Sequence, residues 1–207
     1  MKQTFLKATA CALLFLLTAI VSDAYAQLYT GETKNLRKDP HYLKGAVPEE
    51  NGLVVFSADI PLPAGKSEAQ AFDEVKHWIG QYFSRKDTDV LWRKTLDLDS
   101  TACYVMIGIN EYMVFKNTAL SLDRTQFIFS LAVKVLPGKA VVKMSDITYY
   151  YEEERDPQRY TAEEWITDKA CMNKKGTRLF PINGKFRIKT VDKWDGIVAS
   201  IQKALAD

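Results

Sequence analysis

From Leu53 to Ile60, apolar and polar residues alternate. Val54, Phe56, Ala58 and Ile60 fall on one side, and Val55, Ser57 and Asp59 on the other, the period of a half-buried strand. Pro61, Pro63 and Gly65 end it. At Ser67 the period changes. Ser67 and Gln70 form the pattern of a capping box. Phe72, Val75, Ile79 and Tyr82 then recur at helical spacing, widened by Ala71, Trp78 and Phe83. Asp73, Glu74, Lys76, His77 and Gln81 take the opposite side, which predicts an amphipathic helix to about Phe83. Alternation returns at Val90–Leu98 and Ala102–Ile109, a hairpin around Asp99-Ser100, with a short strand at Tyr112–Lys116.

The clearest element is the next hairpin. Gln126–Val135 and Ala140–Tyr151 flank Leu136-Pro137-Gly138-Lys139, and Pro followed by Gly suits a type II turn. A register set by that turn pairs Val133 with Val142, Leu131 with Met144, Phe129 with Asp146 and Phe127 with Thr148. The other side pairs Lys134 with Val141, Ala132 with Lys143, Ser130 with Ser145 and Ile128 with Ile147. The first side is mostly apolar and the second mixed, as in a sheet covered on one face and wet on the other. Residues 152–186 are irregular and charged. Thr161 and Glu164 predict a short helix over Thr161–Lys169, anchored by Trp165 and Ile166. Val191, Trp194, Ile197, Val198, Ile201 and Leu205 make the stripe of a closing helix. The order β-α-β-β-β-β-α predicts an α+β two-layer sandwich, an antiparallel sheet with two amphipathic helices on one face.

Before the first strand lie two segments outside this domain of residues 52–207. Residues 27–51 carry Gly31, Pro40, Gly45 and Pro48 without periodicity and predict a lead-in of low order. Residues 1–26 read as a signal peptide. Lys2 and Lys7 are followed by an apolar run from Ala10 to Val21, and Ala24-Tyr25-Ala26 places small residues for cleavage after Ala26. The run, about 18 Å long as a helix, is short of the ~30 Å hydrocarbon core. Ala8-Thr9-Ala10-Cys11 resembles a lipobox but precedes the apolar run that a lipobox must follow. The expected product is periplasmic or secreted, with no transmembrane span after cleavage.

Composition changes this picture little. Among 207 residues, 47% are hydrophobic, and 28 basic against 26 acidic side chains give a net charge of +2. That balance argues against nucleic acid as a partner. Export changes how the cysteines read. Cys103 and Cys171 remain after cleavage and can pair in an oxidising compartment. The bond would close a loop of about 69 residues, worth on the order of 4 kcal/mol. Two separately buried thiols are the alternative. No CxxC is present, and neither His41 nor His77 has a ligand partner at metal spacing. No metal or other cofactor is implied.

Here the pattern resembles a known family. The signal peptide, Leu53–Ile60, the Gly65-Lys66-Ser67 helix start and Trp78-Ile79 are followed by the Phe127–Tyr149 hairpin. Trp165-Ile166-Thr167-Asp168 and a terminal helix carrying Trp194 complete the match. Together they resemble a secreted family of unknown function, typical of Bacteroidetes, described as having a TATA-binding-protein-like (TBP-like) fold. The resemblance covers roughly residues 52–206 and implies a fold and an exported location. It implies no activity and no catalytic residues.

The residues themselves carry little chemistry. GxSxG, HExxH and P-loop patterns are absent, and no SxxK has a recognisable partner set. The run Tyr149–Asp156 places three tyrosines before Glu152-Glu153-Glu154. It reads as a cation site or, more simply, as a strand running into a solvated loop. Lys185, Arg187 and Lys189 alternate with Phe186 and Ile188. In an extended segment this is an anion-binding strip, or an edge whose cations discourage pairing. On the open sheet face, Ile128, Lys143, Ser145 and Ile147 are the candidate contact residues. The pattern therefore predicts a non-catalytic module that binds an envelope protein, peptide or glycan. The alternative is a hydrolase using scattered carboxylates such as Asp97 and Asp99.

Overall fold

A computed structural model describes residues 35–86, 89–119, 121–151 and 156–206. The segment read above as a signal peptide, with its expected cleavage point, and the Glu152–Arg155 run lie outside these. In chain order the strands are β1 (Glu49–Glu50), β2 (Leu53–Val54), β3 (Phe56–Pro61), β4 (Val90–Asp99), β5 (Tyr104–Thr118), β6 (Ser121–Leu136), β7 (Lys139–Tyr151) and β8 (Gln158–Thr161). Helix α1 (Glu68–Ser84) lies between β3 and β4. Helices α2 (Ala162–Trp165), α3 (Asp168–Cys171) and α4 (Pro181–Ala206) follow β8.

The main sheet is antiparallel in the order β3-β7-β6-β5-β4. Strand β8 adds to the same side of β7 as β3, further along it. β3 pairs with Lys139–Met144 and β8 with Thr148–Tyr151. Since β3 and β4 lie at opposite edges, α1 must carry the chain across the sheet. It starts where expected: Ser67 accepts from the Gln70 N–H, and the Gln70 side chain returns to the Ser67 N–H. Its apolar stripe is buried against the sheet beside that of α4. Between them lie Phe127, Phe129, Leu131 and Val133 of β6, each at most 1% exposed. Side chains so deeply buried contribute about 1.5–3 kcal/mol each.

The β6–β7 hairpin keeps the expected register from Pro137-Gly138 as far as Ser130↔Ser145, with Gly138 at φ +76°. Beyond it the register slips by one, to Ile128↔Thr148 and Phe127↔Tyr149. Asp146, at φ +54°, makes the bulge. An uninterrupted strand would press the Asp146 carboxylate against Phe129 and turn Ile147 and Tyr149 to solvent. The extra residue leaves Asp146 exposed and buries Ile147 at 1% and Tyr149 at 0%. Asp146→Val is expected to lose about 1–2 kcal/mol, because a β-branched residue resists a left-handed backbone. Asp146→Gly should be neutral or stabilising, and thermal melts of the two variants separate these outcomes.

Four other boundaries differ from the sequence pattern. The strand expected at Tyr112–Lys116 is continuous with its predecessor, so β5 is one long strand. The helix over Thr161–Lys169 is two single turns. Thr161 caps α2 through the expected box with Glu164, and Thr167 caps α3. Helix α4 begins at Pro181 rather than near Val191. Proline at the first helical position is a start signal, masked here by the alternation of Lys185–Lys189. Residues 35–51 are also ordered against the domain. Tyr42 is buried, Leu179 N–H bonds to Arg37 O, and the hairpin β1–β2 turns at Asn51-Gly52.

Candidate functional site

Among the described residues, helices α1 and α4 cover one face of the sheet and leave the other open. Alternation places Ile128, Ser145 and Lys143 on that open face, as expected. Ile128 lies beside Asn110 of β5, Ser145 beside Ser130, and Lys143 beside Ala132. Lys143 also pairs with Glu50 at 3.7 Å. Ile147 is a correction: the Asp146 bulge turns it into the core.

The anion-binding strip is overturned as well. Lys185, Arg187 and Lys189 belong to α4, where two residues are about 200° apart around the axis and four share a face. Lys189 is exposed. Lys185 reaches Asp123 at 2.6 Å and the Tyr151 hydroxyl at 2.9 Å. Arg187 is fully buried. Its Nε donates to Tyr42 O at 2.6 Å, Nη1 to Ile166 O at 2.8 Å, and Nη2 to both Leu43 O and Asp168 Oδ1. Its hydrogen bonds are committed to holding the lead-in and the α2–α3 segment onto α4.

Cys103 and Cys171 are unbonded. Cys103 closes the β4–β5 turn, where its carbonyl accepts from Val135 N–H. Cys171 lies near Tyr149. Tyr149 is opposite Phe127, which is opposite Glu111, about 23 Å along β5 from Tyr104. A disulfide needs Cα atoms within about 7 Å. Burial pushes the Cys171 thiol up to about 12, so it is an inert thiol at neutral pH.

Asp97 and Asp99 lie on one face of β4, and neither lines the groove between α1 and α4. Asp99 Oδ1 accepts from the Thr101 and Ala102 N–H groups, each at 2.9 Å, and so shapes the β4–β5 turn. Among the described residues, no group of three or more His, Cys, Asp and Glu is placed to hold a metal ion. A shallow groove runs between α1 and α4 on the helical side. There Trp78 Nε1 donates to Ser200 Oγ, fastening one helix to the other.

The feature missed by sequence reasoning is the exposed apolar surface of β4. Among the described residues β4 is an end strand of the sheet, and Leu91, Trp92, Leu96 and Leu98 are 43%, 38%, 46% and 51% exposed. The signal available was Gly108 on the facing strand. A Cβ there would come within 3.2 Å of both the Leu96 side chain and the Trp92 ring, so glycine lets both rest against β5. Lys94 Nζ lies 5.1 Å from the Trp92 ring centre. Further along the face, the Arg124 guanidinium sits 3.7 Å from the Tyr112 ring, and Asn110 Nδ2 donates to Gln126 Oε1 at 2.9 Å. On the covered side, Arg93 lies over the Tyr82 ring at 4.2 Å, while Glu111 pairs with Lys193. Burial and the Glu111 charge raise the Tyr82 pKa. These contacts fasten β4 to the helices without covering its apolar residues.

Residues 56–150 match the family described as a domain of unknown function (DUF4468) with TBP-like fold. A crystal structure of a DUF4468 family protein from Bacteroides ovatus is similar at 36% identity. The match covers 82% of this chain and 95% of that one, with a TM-score of 0.73. A TBP-like protein from Parabacteroides distasonis shares the fold at 16% identity, over 77% of this chain and 96% of that one, with a TM-score of 0.62. No curated protein matches. At 36% identity across nearly the whole of the Bacteroides ovatus protein, the chain belongs to the DUF4468 family, whose function is unknown and whose fold is TBP-like.

Proposed function

We propose that this protein is an exported, non-catalytic module that holds a polypeptide partner at the cell envelope through the open face of its sheet. Trp92 and Leu96, exposed against Gly108 on a face that no helix among the described residues covers, carry this reading. Contiguous exposed apolar surface marks interaction sites, and a buried tryptophan anchor is a common source of binding energy. Beside Trp92, Leu96 rests over the same glycine while the Lys94 ammonium lies 5.1 Å from the ring centre, a mixture of apolar and cationic groups that suits the side chains of a polypeptide. The leader at residues 1–26 supports the envelope as the place where such a partner is met.

Two variants test this on envelope extracts, with circular dichroism to confirm folding. Trp92→Ala should weaken capture of a partner held by the unmodified protein by about 30-fold, the loss typical of a hot-spot residue. Gly108→Val should weaken it comparably by lifting Trp92 and Leu96, with stability changed by less than about 1 kcal/mol. Capture undiminished in both variants would overturn the reading.

A further inference from the structure

The outer edge of β4 carries a charge pattern that complements itself. Reading along the strand, Lys94 precedes Asp97 and Asp99. Trp92, Lys94, Asp97 and Asp99 pair with Asn110, Gly108, Met106 and Tyr104 of β5, positions on the open face. Arg93 points the other way, where its guanidinium lies over Tyr82 and near Glu111. β4 pairs with β5 on one side, and among the described residues nothing in the sheet follows it on the other. Such an edge offers a row of backbone donors and acceptors, which proteins usually guard with lysine, proline or bulges.

We infer that β4 pairs antiparallel with β4 of a second copy of this chain, about a two-fold axis between Thr95 and Leu96. This rests on the reading of β4 and the open face as a contact surface, and it names an occupant for the edge. The axis sets Lys94 beside Asp97 of the second copy, and symmetry repeats the pair. Trp92 falls beside Asp99 of the second copy, and Arg93 beside Leu98. All these partners share a face because the irregularity between Thr95 and Asp97 shifts the alternation by one. Without it, Lys94 and Asp97 would lie on opposite faces and could not meet. The bulge that would otherwise blunt the edge therefore sits on the axis, with regular strand from Trp92 to Thr95 on one side and from Asp97 to Asp99 on the other. Opposite charges facing each other across antiparallel strands stabilise the pairing, and like charges oppose it. The exposed leucines of β4 gain cover, and an isologous interface of this kind closes at two copies. Both helical layers then lie on one side, and the two open faces become one continuous surface.

Charge reversal tests the pairing on the chain from Gln27 onward, followed by sedimentation equilibrium across the micromolar range. The unmodified protein should dimerise. Lys94→Asp and Asp97→Lys should each weaken the dimer by about tenfold or more, since symmetry doubles each change. The double variant Lys94→Asp with Asp97→Lys should restore it. A monomer throughout, or a dimer that neither single reversal weakens, overturns the pairing. So does a double variant no better than the singles. Partner capture that still depends on Trp92 in a monomeric protein would sink the dimer alone and leave the proposed function standing.

Discussion

Arg187→Met should lower stability by about 3–5 kcal/mol, the loss expected when one member of a buried ionic network is removed. The side chain is fully buried yet donates to four oxygens: the carbonyls of Tyr42, Leu43 and Ile166, and the Asp168 carboxylate. Methionine fills most of the volume but supplies no donor. The carbonyls then lose the partner that offsets their desolvation. Asp168 is partly exposed and keeps its bond to the Gly45 N–H, so it contributes the smaller part. Arg187→Lys should recover less than half, because one ammonium cannot reach groups that a planar guanidinium spans in several directions. Urea unfolding of the three proteins measures this. A loss below about 1 kcal/mol for Arg187→Met would mean that water replaces the guanidinium at little cost.

Phe186→Ala should cost a similar amount, about 3–5 kcal/mol, for a different reason. Its ring is fully buried, with centroids of Phe115, Tyr149, Tyr151 and Trp165 at 4.5, 5.2, 5.3 and 5.9 Å. Most of these contacts are edge-on, the arrangement aromatic quadrupoles favour. The cluster joins α4 to β5, β7 and α2, so a cavity there loosens four elements together. Phe186→Leu should lose much less, under about 1.5 kcal/mol, because it keeps most of the volume. Near-ultraviolet circular dichroism should report the loosening of the tyrosines and Trp165 before global unfolding. An unchanged aromatic signal in Phe186→Ala would show that the neighbouring rings pack without it.

These two residues mark where periodicity stops being informative. The capping box at Ser67 and the stripe of α1 are local signals, and both are legible because the helix lies on a core with one wet side. The β6–β7 hairpin is legible for the same reason near its turn. It fails at Asp146, where one inserted residue reverses every later side chain. A carboxylate on the apolar side opposite Phe129, with Ile147 and Tyr149 on the wet side, was the visible sign of that bulge. Lys185–Lys189 misleads because α4 is buried on several sides there. Phe186, Arg187, Ile188 and Thr190 are all buried, so polar and apolar positions no longer report a face. The lead-in carries no apolar period because no long regular element imposes one: Tyr42 and Val47 reach the core singly, and Arg187 holds backbone carbonyls, which are the same in every residue. On the open face, Ile128, Lys143 and Ser145 follow from alternation. The β4 surface does not, because which strand ends the sheet is set by the crossover of α1 rather than by the residues of β4.

The placement of the lead-in has a consequence for the order in which this chain acquires structure. Tyr42 and Leu43 are held by Arg187, the Tyr42 hydroxyl bonds to Asp192, and β3 is held by β7. The earliest described residues therefore find their places only on elements made much later. Pairings so distant in sequence carry a large loop-closure cost and slow folding. A chain emerging amino end first has nothing to dock these residues on until α4 is out. It remains pliable while it is being synthesised, and locks when α4 arrives.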